Sequence, residues 1–276
     1  MSKLKVLKSP AKINIGLWIT GKRPDGYHEI FTIFHTIDLY DRIFIKPYHR
    51  LKVDTTNPSI NPDENIIYKT AKLFEEWTGI SPTGEILIEK NIPIGSGLGG
   101  GSSNAAVMLK YFNEFYKKPL SEKDLFKLAA HIGADVPFFL KGGMAIGEGT
   151  GDKLLFLSKK FNKKVIIIFP NISISTKEIY SRVSLKMLTS KEDIHIIDSL
   201  LDDFDKLVKN VENTLGKIVE ELYPEVKEVL NTMRHLKYTP LVSGSGSSVF
   251  APGKPTEELK KICQIKGWRL IEATLI

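Results

Sequence analysis

Three observations in the sequence predict an α+β protein built in two lobes. Five of the seven positions from Gly95 to Gly101 are glycine, shortly after a strand-like run, Glu85-Ile-Leu-Ile-Glu-Lys90, and just before an alanine-rich helical pattern. The remainder of the first half mixes runs of alternating polarity with segments of helical spacing. A mostly helical stretch from about Glu178 to Leu236 is then bracketed by strand-like runs. The seam between lobes is expected near residue 160, giving segments 1–160 and 161–276. There, two strand-like runs, Leu154 to Leu157 and Lys164 to Phe169, flank a basic turn.

Taken in order, Met1 to Lys8 alternates charge and hydrophobe; it reads as a first strand and lacks a signal peptide's apolar core. In Ala11-Lys-Ile-Asn-Ile-Gly16 the alternation places Lys12 and Asn14 on one strand face. Gly26-Tyr27-His28 reads as a turn entering a strand, and Arg42 to Val53 as strand around a polar turn. Asn65 to Trp77 carries apolar residues at helical spacing and stops at Gly79. Ser102 is the expected cap of a helix running to about Tyr116. Ser121-Glu-Lys-Asp opens a capped amphipathic helix, and Gly133-Ala-Asp-Val-Pro137 reads as a tight turn starting another. Near the end, Pro240 to Ser243 and Ser248 to Ala251 read as strands around a Gly244/Gly246 loop. A helix from about Pro255 and a final strand near Trp268 to Leu275 follow; that strand could pair in either lobe.

Composition narrows the function classes. A chain of 276 residues with 42% apolar and 26% charged residues is long enough for a sizeable core and ordinary for a globular protein. No apolar run reaches the length of a membrane span. One cysteine, Cys263, permits no internal disulfide; it reads as a small buried hydrophobe on a late helix, in keeping with a reducing cytoplasm. The net charge of +7 is scattered among acids, without the continuous basic stripe of a nucleic-acid surface. Phosphorylated small molecules are the better match, with neither nucleic acid nor membrane as partner. His35, His49, His131, His195 and His235 have no ligand spacing, so no metal site is assigned.

The glycine run is the strongest chemical signal. A strand, a glycine loop and a helix start hold phosphate by letting backbone N–H groups close on the anion, with the helix N-terminus adding partial positive charge. The P-loop form fails because Ser102, not Lys, follows the last glycine. Gly95-Ser-Gly-Leu-Gly-Gly100 matches the dinucleotide pattern literally. The acids some twenty positions later, Glu122 and Asp124, lie however in the helix opened by Ser121 and not at a strand end. The protein-kinase version lacks its lysine strand and its His-Arg-Asp.

What remains, Pro93-Ile-Gly-Ser-Gly-Leu-Gly-Gly-Gly-Ser-Ser-Asn-Ala-Ala106, resembles the phosphate loop of the small-molecule kinases grouped as galactokinase, homoserine kinase, mevalonate kinase and phosphomevalonate kinase. Four further segments resemble that superfamily's motifs in the same order: Ser9-Pro-Ala-Lys-Ile-Asn-Ile-Gly-Leu17, Arg23-Pro-Asp-Gly-Tyr-His-Glu29, Gly133-Ala-Asp-Val-Pro-Phe138 and Val242-Ser-Gly-Ser-Gly-Ser-Ser-Val-Phe250. The Gly97 to Ala106 form and the Tyr27-His28 pair are similar to one branch, whose substrate is 4-diphosphocytidyl-2-C-methyl-D-erythritol, in non-mevalonate isoprenoid biosynthesis.

The resemblance implies a two-lobed small-molecule kinase fold, with an N-terminal nucleotide-binding lobe and a ferredoxin-like C-terminal lobe. It implies ATP with Mg²⁺, and a cytidine diphosphate-linked methylerythritol as acceptor. Pro93, Ile94, Gly95, Ser96, Gly97, Leu98, Gly99, Gly100, Gly101, Ser102 and Ser103 would line the ATP phosphates, one of the serines being a candidate Mg²⁺ contact, and Asn65 would lie near the adenine. Asp135 would orient the acceptor hydroxyl and take its proton late, Lys12 would polarise that hydroxyl, and Asn14, Tyr27, His28 and Tyr180 would bind the acceptor. Bland readings stand beside these: Asp135 and Asn65 as helix N-caps, Lys12 as a solvated lysine, Tyr27 and Tyr180 as packing residues. The alternatives at the level of function are another kinase of the superfamily and a nucleotide-binding regulator without catalysis. A monomer or weak homodimer is expected.

Overall fold

The computed structural model describes residues 4–61, 64–190, 194 and 199–276. In chain order the elements are β1 (Lys5–Lys22), β2 (His28–Lys46), β3 (Leu51–Thr55), α1 (Ile66–Thr78), β4 (Gly84–Glu89), α2 (Gly100–Phe115), α3 (Glu122–Ile132) and α4 (Val136–Lys141). There follow β5 (Met144–Glu148), β6 (Lys153–Leu157), β7 (Lys164–Phe169), α5 (Thr176–Ser181), α6 (Phe204–Asn210), α7 (Thr214–Leu222), α8 (Pro224–His235), β8 (Leu241–Val242), β9 (Val249–Pro252), α9 (Glu257–Lys266) and β10 (Arg269–Thr274). The chain forms two compact units that interleave in sequence. One comprises 1–11, 39–92 and 99–142; the other comprises 12–38, 93–98 and 143–276. The long strands β1 and β2 therefore contribute residues to both.

In the first unit, the end of β2 pairs antiparallel with β4, Arg42 opposite Glu89 through Lys46 opposite Glu85, and β3 runs parallel to β4. Helix α1 starts where Asn65 accepts a hydrogen bond from the Ile67 N–H, and ends at Gly79 in the left-handed conformation. Its buried Ile67, Ala71 and Phe74 lie on one stripe, and the Phe74 ring meets that of Phe112 of α2 with centroids 5.8 Å apart. Ser121 caps α3 through the Asp124 N–H, as its sequence predicts. The expected Ser102 cap of α2 is corrected: the helix begins at Gly100, its cap is Gly99 at φ 71°, and no side chain caps it. A serine three places along sits within the first turn, and the left-handed glycine ends the loop earlier than the serine signal suggested.

In the second unit, the start of β2 pairs antiparallel with β5, and β5 with β6. A separate four-stranded antiparallel sheet has the order β10-β7-β9-β8. Val165 to Ile168 of β7 are all buried, as a strand covered on both faces requires. The core joins Ile166, Ile168 and Val249 of that sheet to Ile218 and Val219 of α7, Val229 and Met233 of α8, and Leu259 and Cys263 of α9. Cys263 is buried there, and burial pushes its thiol up to about 11. The last strand pairs in this sheet, Ala273 opposite Val165, and just beyond it Leu275 bridges Ile37 of β2. Among the described residues no helix is long and apolar enough to cross a membrane.

Candidate functional site

The second unit holds the first half of the glycine run, and its carbonyls explain how it is held. From Pro93 to Leu98 every carbonyl accepts a hydrogen bond from its own unit. The donors are Ser96 Oγ to Pro93 (2.6 Å), Ser173 Oγ to Ile94 (2.9 Å) and the Ile174 N–H to Gly95 (3.1 Å). The Ser248 N–H donates to Ser96 (3.0 Å), Ser243 Oγ to Gly97 (3.1 Å) and the Lys12 N–H to Leu98 (3.0 Å). A peptide's N–H points away from its carbonyl, so with six successive carbonyls turned into the protein the amides face the other way. Among the described residues these N–H groups donate to no acceptor in the protein, and successive amides left so can bind an anion. The loop around Gly244 is what presses on it: a Cβ on Gly97 would lie 2.0 Å from the Ser243 carbonyl oxygen.

Beside this loop, β1 carries Lys12 and Asn14 on one face. Strand alternation alone would turn such polar residues to solvent, yet β1 is buried on both faces here and Lys12 is only 3% exposed. Lys12 Nζ donates to Asn14 Oδ1 and lies 5.5 Å from the Phe34 ring centroid. Asn14 Nδ2 donates to Thr32 Oγ1 (2.8 Å), which passes a bond to the Gly16 carbonyl (2.7 Å), while the Asn14 N–H meets Ser243 Oγ at 3.2 Å. Lys12, Asn14, the loop and Ser243 are thus one polar cluster inside the second unit. Thr32 belongs to it and carries no motif signal of its own; only its pairing with Asn14 across strands brings it in, whereas Ser243 lies in the C-terminal glycine motif.

The turn from Arg23 to Tyr27 closes on itself. The Arg23 N–H donates to the Tyr27 carbonyl (2.8 Å), the Tyr27 N–H to Asp25 Oδ1 (3.1 Å), and the Arg23 guanidinium to Asp25 and Glu29. The Tyr27 N–H, with help from Arg23, holds the Asp25 carboxyl below its usual range. Tyr27 is left 66% exposed, which excludes a core role for its ring. His28 is half-buried and stacks on Tyr180 of α5, centroids 5.6 Å apart and planes 27° from parallel. Desolvation, and then the Lys22 charge, lower its pKa, favouring neutral imidazole.

The first unit carries Gly99 to Ser103, Asn65 and Asp135. With Gly99 as cap and no side chain on the first-turn N–H groups, the start of α2 is open to an anion, and a Cβ on Gly101 would meet nothing within 4 Å. Ser102 is half-buried on that turn. Ser103 is fully buried and receives the Ser9 hydroxyl at 2.8 Å, so it is committed to the protein. Asn65 is the N-cap of α1 (3.1 Å to the Ile67 N–H), the plainer of its two readings. Asp135 precedes α4 at its cap position, in helical conformation, and its carboxylate makes no capping bond. Its bland reading therefore fails while Asn65's holds. Among the described residues no three His, Cys, Asp or Glu side chains form a metal-binding group; His195 lies outside the described residues.

Comparison with known proteins identifies the fold and the family. Residues 65–143 match the model of the GHMP kinases N terminal domain and residues 196–265 that of the GHMP kinases C terminal. The chain is 62% identical over 273 residues to a 4-diphosphocytidyl-2-C-methyl-D-erythritol kinase of Persephonella marina, covering 99% of this chain and 100% of that one. It is 54% identical to the protein of the same name in a Sulfurihydrogenibium species, with the same coverage. A crystal structure of 4-(cytidine 5'-diphospho)-2C-methyl-D-erythritol kinase superposes with TM-score 0.79 at 33% identity, covering 98% of this chain and 99% of that one. The chain belongs to the GHMP kinase family, among relatives that carry this enzyme name.

Proposed function

We propose that this chain transfers the γ-phosphoryl group of ATP to the 2-hydroxyl of 4-diphosphocytidyl-2-C-methyl-D-erythritol, giving the 2-phosphate and ADP. The observation that carries the reading is full-length similarity to relatives of that name. The geometry agrees with it: six tied carbonyls leave a row of amides from Ile94 to Leu98, and the open first turn of α2 follows at once. The same positions support a functional division near residue 160, between an ATP-binding segment and a substrate-side segment, since the two family models lie on either side of it.

Phosphoryl transfer needs little covalent help from the protein; it needs the phosphates held and the developing charge balanced. The amides of 94–101 and the Ser102 hydroxyl hold the phosphates, and Asn65 stands near the adenine. Mg²⁺ neutralises phosphate charge when bound. No carboxylate cage for it exists among the described residues, so the fitting donors are the nucleotide itself and Ser102. Lys12, a buried ammonium oriented by Asn14, polarises the acceptor hydroxyl. Asp135 orients that hydroxyl and takes its proton as the new P–O bond forms and ADP leaves. Asn14 binds the acceptor. Tyr27 offers an exposed face for the cytosine, and His28 reads the base's polar edge from its stack on Tyr180.

The test is ADP release from Mg·ATP with the cytidylyl methylerythritol, mevalonate and homoserine offered separately. Turnover with the first alone is expected; turnover with another would keep the kinase and discard the cytosine pocket. Asp135→Asn should bind ATP as wild type does and lose at least about a hundredfold in kcat, the scale of a positioned acid or base. Tyr27→Ala should raise KM for the cytidylyl substrate and leave KM for ATP unchanged.

A further inference from the structure

A buried ion pair in the first unit takes no part in the chemistry above, and its contacts are unusually selective. Asp41, near the middle of β2, is wholly buried, and its partner Lys90 has a side chain only 5% exposed. A buried pair seldom repays its desolvation, so its presence asks for a reason in geometry. Asp41 Oδ1 accepts from the N–H groups of Asn91 and Ile92, both at 2.8 Å. Those residues lead directly into the glycine run. Asp41 Oδ2 pairs with Lys90 Nζ and accepts from Asn104 Nδ2 at 3.0 Å. Lys90 Nζ donates in turn to Asn104 Oδ1 at 3.1 Å, and Asn104 belongs to the opening turns of α2. Asn104 Nδ2 also reaches Ser9 Oγ (2.9 Å), and Ser9 donates to Ser103 (2.8 Å). The ammonium lies 3.3 Å from where a Cβ on Gly100 would stand, directly under the open end of the helix.

We propose that Asp41 and Lys90 are positioning residues for nucleotide phosphate. Through paired hydrogen bonds they lock the chain entering the glycine run, residues 90–92, to the helix leaving it, residues 100–104. This rests on the reading of that run as the ATP phosphate loop. The pair touches no phosphate itself. It fixes the spacing of the amides that do, and its bonds go to nothing that the acceptor's binding residues use. A loop of glycines has no side-chain packing of its own to hold its shape, so rigidity has to come from both ends.

The experiment measures KM for each substrate, kcat and melting temperature in Asp41→Asn, Lys90→Gln and the double variant. Removing the outer partners that orient metal ligands costs roughly ten- to a hundredfold, and the same scale is taken for these partners of the loop. A rise of about tenfold or more in KM for ATP is therefore expected, with KM for the acceptor changed less than about twofold. The double variant leaves no uncompensated buried charge, so it should melt closer to wild type than either single variant while keeping the raised KM for ATP. A double variant that folds and has wild-type KM for ATP would overturn the proposal. So would equal rises in both KM values, which mark a general loosening. If no charge variant folds, Asn104→Ala removes the bonds by which the pair reaches α2; a rise of about tenfold in KM for ATP supports the proposal and no change overturns it. Wild-type protein that fails to bind ATP by calorimetry would instead overturn the phosphate-loop reading, a result distinct from intact ATP binding that is insensitive to these variants.

Discussion

The two halves of the glycine run do opposite things with the same residue type. From Pro93 to Leu98 the glycines allow closeness: each carbonyl is tied, and at Gly97 a backbone oxygen occupies the place of a side chain, 2.0 Å from an added Cβ. From Gly99 to Gly101 they allow openness: a left-handed cap without a side chain leads to a first turn whose Gly101 faces empty space. The first half is a fixed wall and the second a mouth. A glycine-rich sequence does not distinguish these uses. The neighbours at each position do.

Gly97→Ala should break the wall, with the largest effect of any single change here. Its methyl would have to displace the Ser243 carbonyl from a backbone already at φ 77°. A loss of ~3 kcal/mol or more is expected, read as a collapse of melting temperature or soluble yield.

Acid should loosen the unit that holds the wall. His35 is fully buried; its Nε2 accepts from the Phe161 N–H (3.0 Å), so its Nδ1–H donates to the Thr36 carbonyl (2.9 Å). Burial lowers its pKa to about 4 from 6.5. Because the folded-state value is depressed, the unfolded chain binds more protons between those limits. The stabilisation is complete above pH 6.5 and is lost as pH falls toward 4. The loss should total about 3 kcal/mol, and His35→Leu should flatten that limb of the stability–pH curve.

Gly100→Ala probes the boundary between the halves. Its Cβ would come within 2.9 Å of the Ile92 side chain, which can shift. Overpacking and improved helix propensity nearly offset each other, and a net loss of about 1 kcal/mol is expected. KM for ATP should rise here, because the same methyl approaches Lys90.

Gly101→Ala should change stability least, by under about 0.5 kcal/mol, since its Cβ meets nothing. Its methyl would stand in the mouth, however, so KM for ATP should rise in a protein that melts as wild type does. Unchanged KM with unchanged stability would show that the mouth takes no phosphate, and the contrast between the halves would lose its functional meaning.

The frame around the glycine run, unlike the contrast within it, was legible in the sequence. The strand, loop and helix order, the caps at Asn65, Ser121 and Gly79, and the strands on either side of the basic turn all depend on neighbours within a few residues, where local propensity and period dominate. The sequence also singled out Lys12, Asn14, Tyr27, His28 and Asp135 through the motifs they occupy, and Tyr180 through the family resemblance alone. It misread the start of α2, because serine is a common cap and nothing local tells that Gly99 turns left-handed first. It left both Asp135 and Asn65 open to a capping reading, and only Asn65 caps through its side chain.

The local pattern by itself determined where the glycine loop lies and which elements frame it, because periodicity, glycine content and turn chemistry are short-range properties. Tertiary structure alone decided that Lys12 is buried with Asn14 and not solvated, which carbonyls of the loop Ser243 and Ser248 tie from some 150 residues away in sequence, and that Asp41 and Lys90 lock its two ends. Those contacts join residues far apart in the chain, and whether a lysine is paired in the interior or free in water depends on what the fold brings against it.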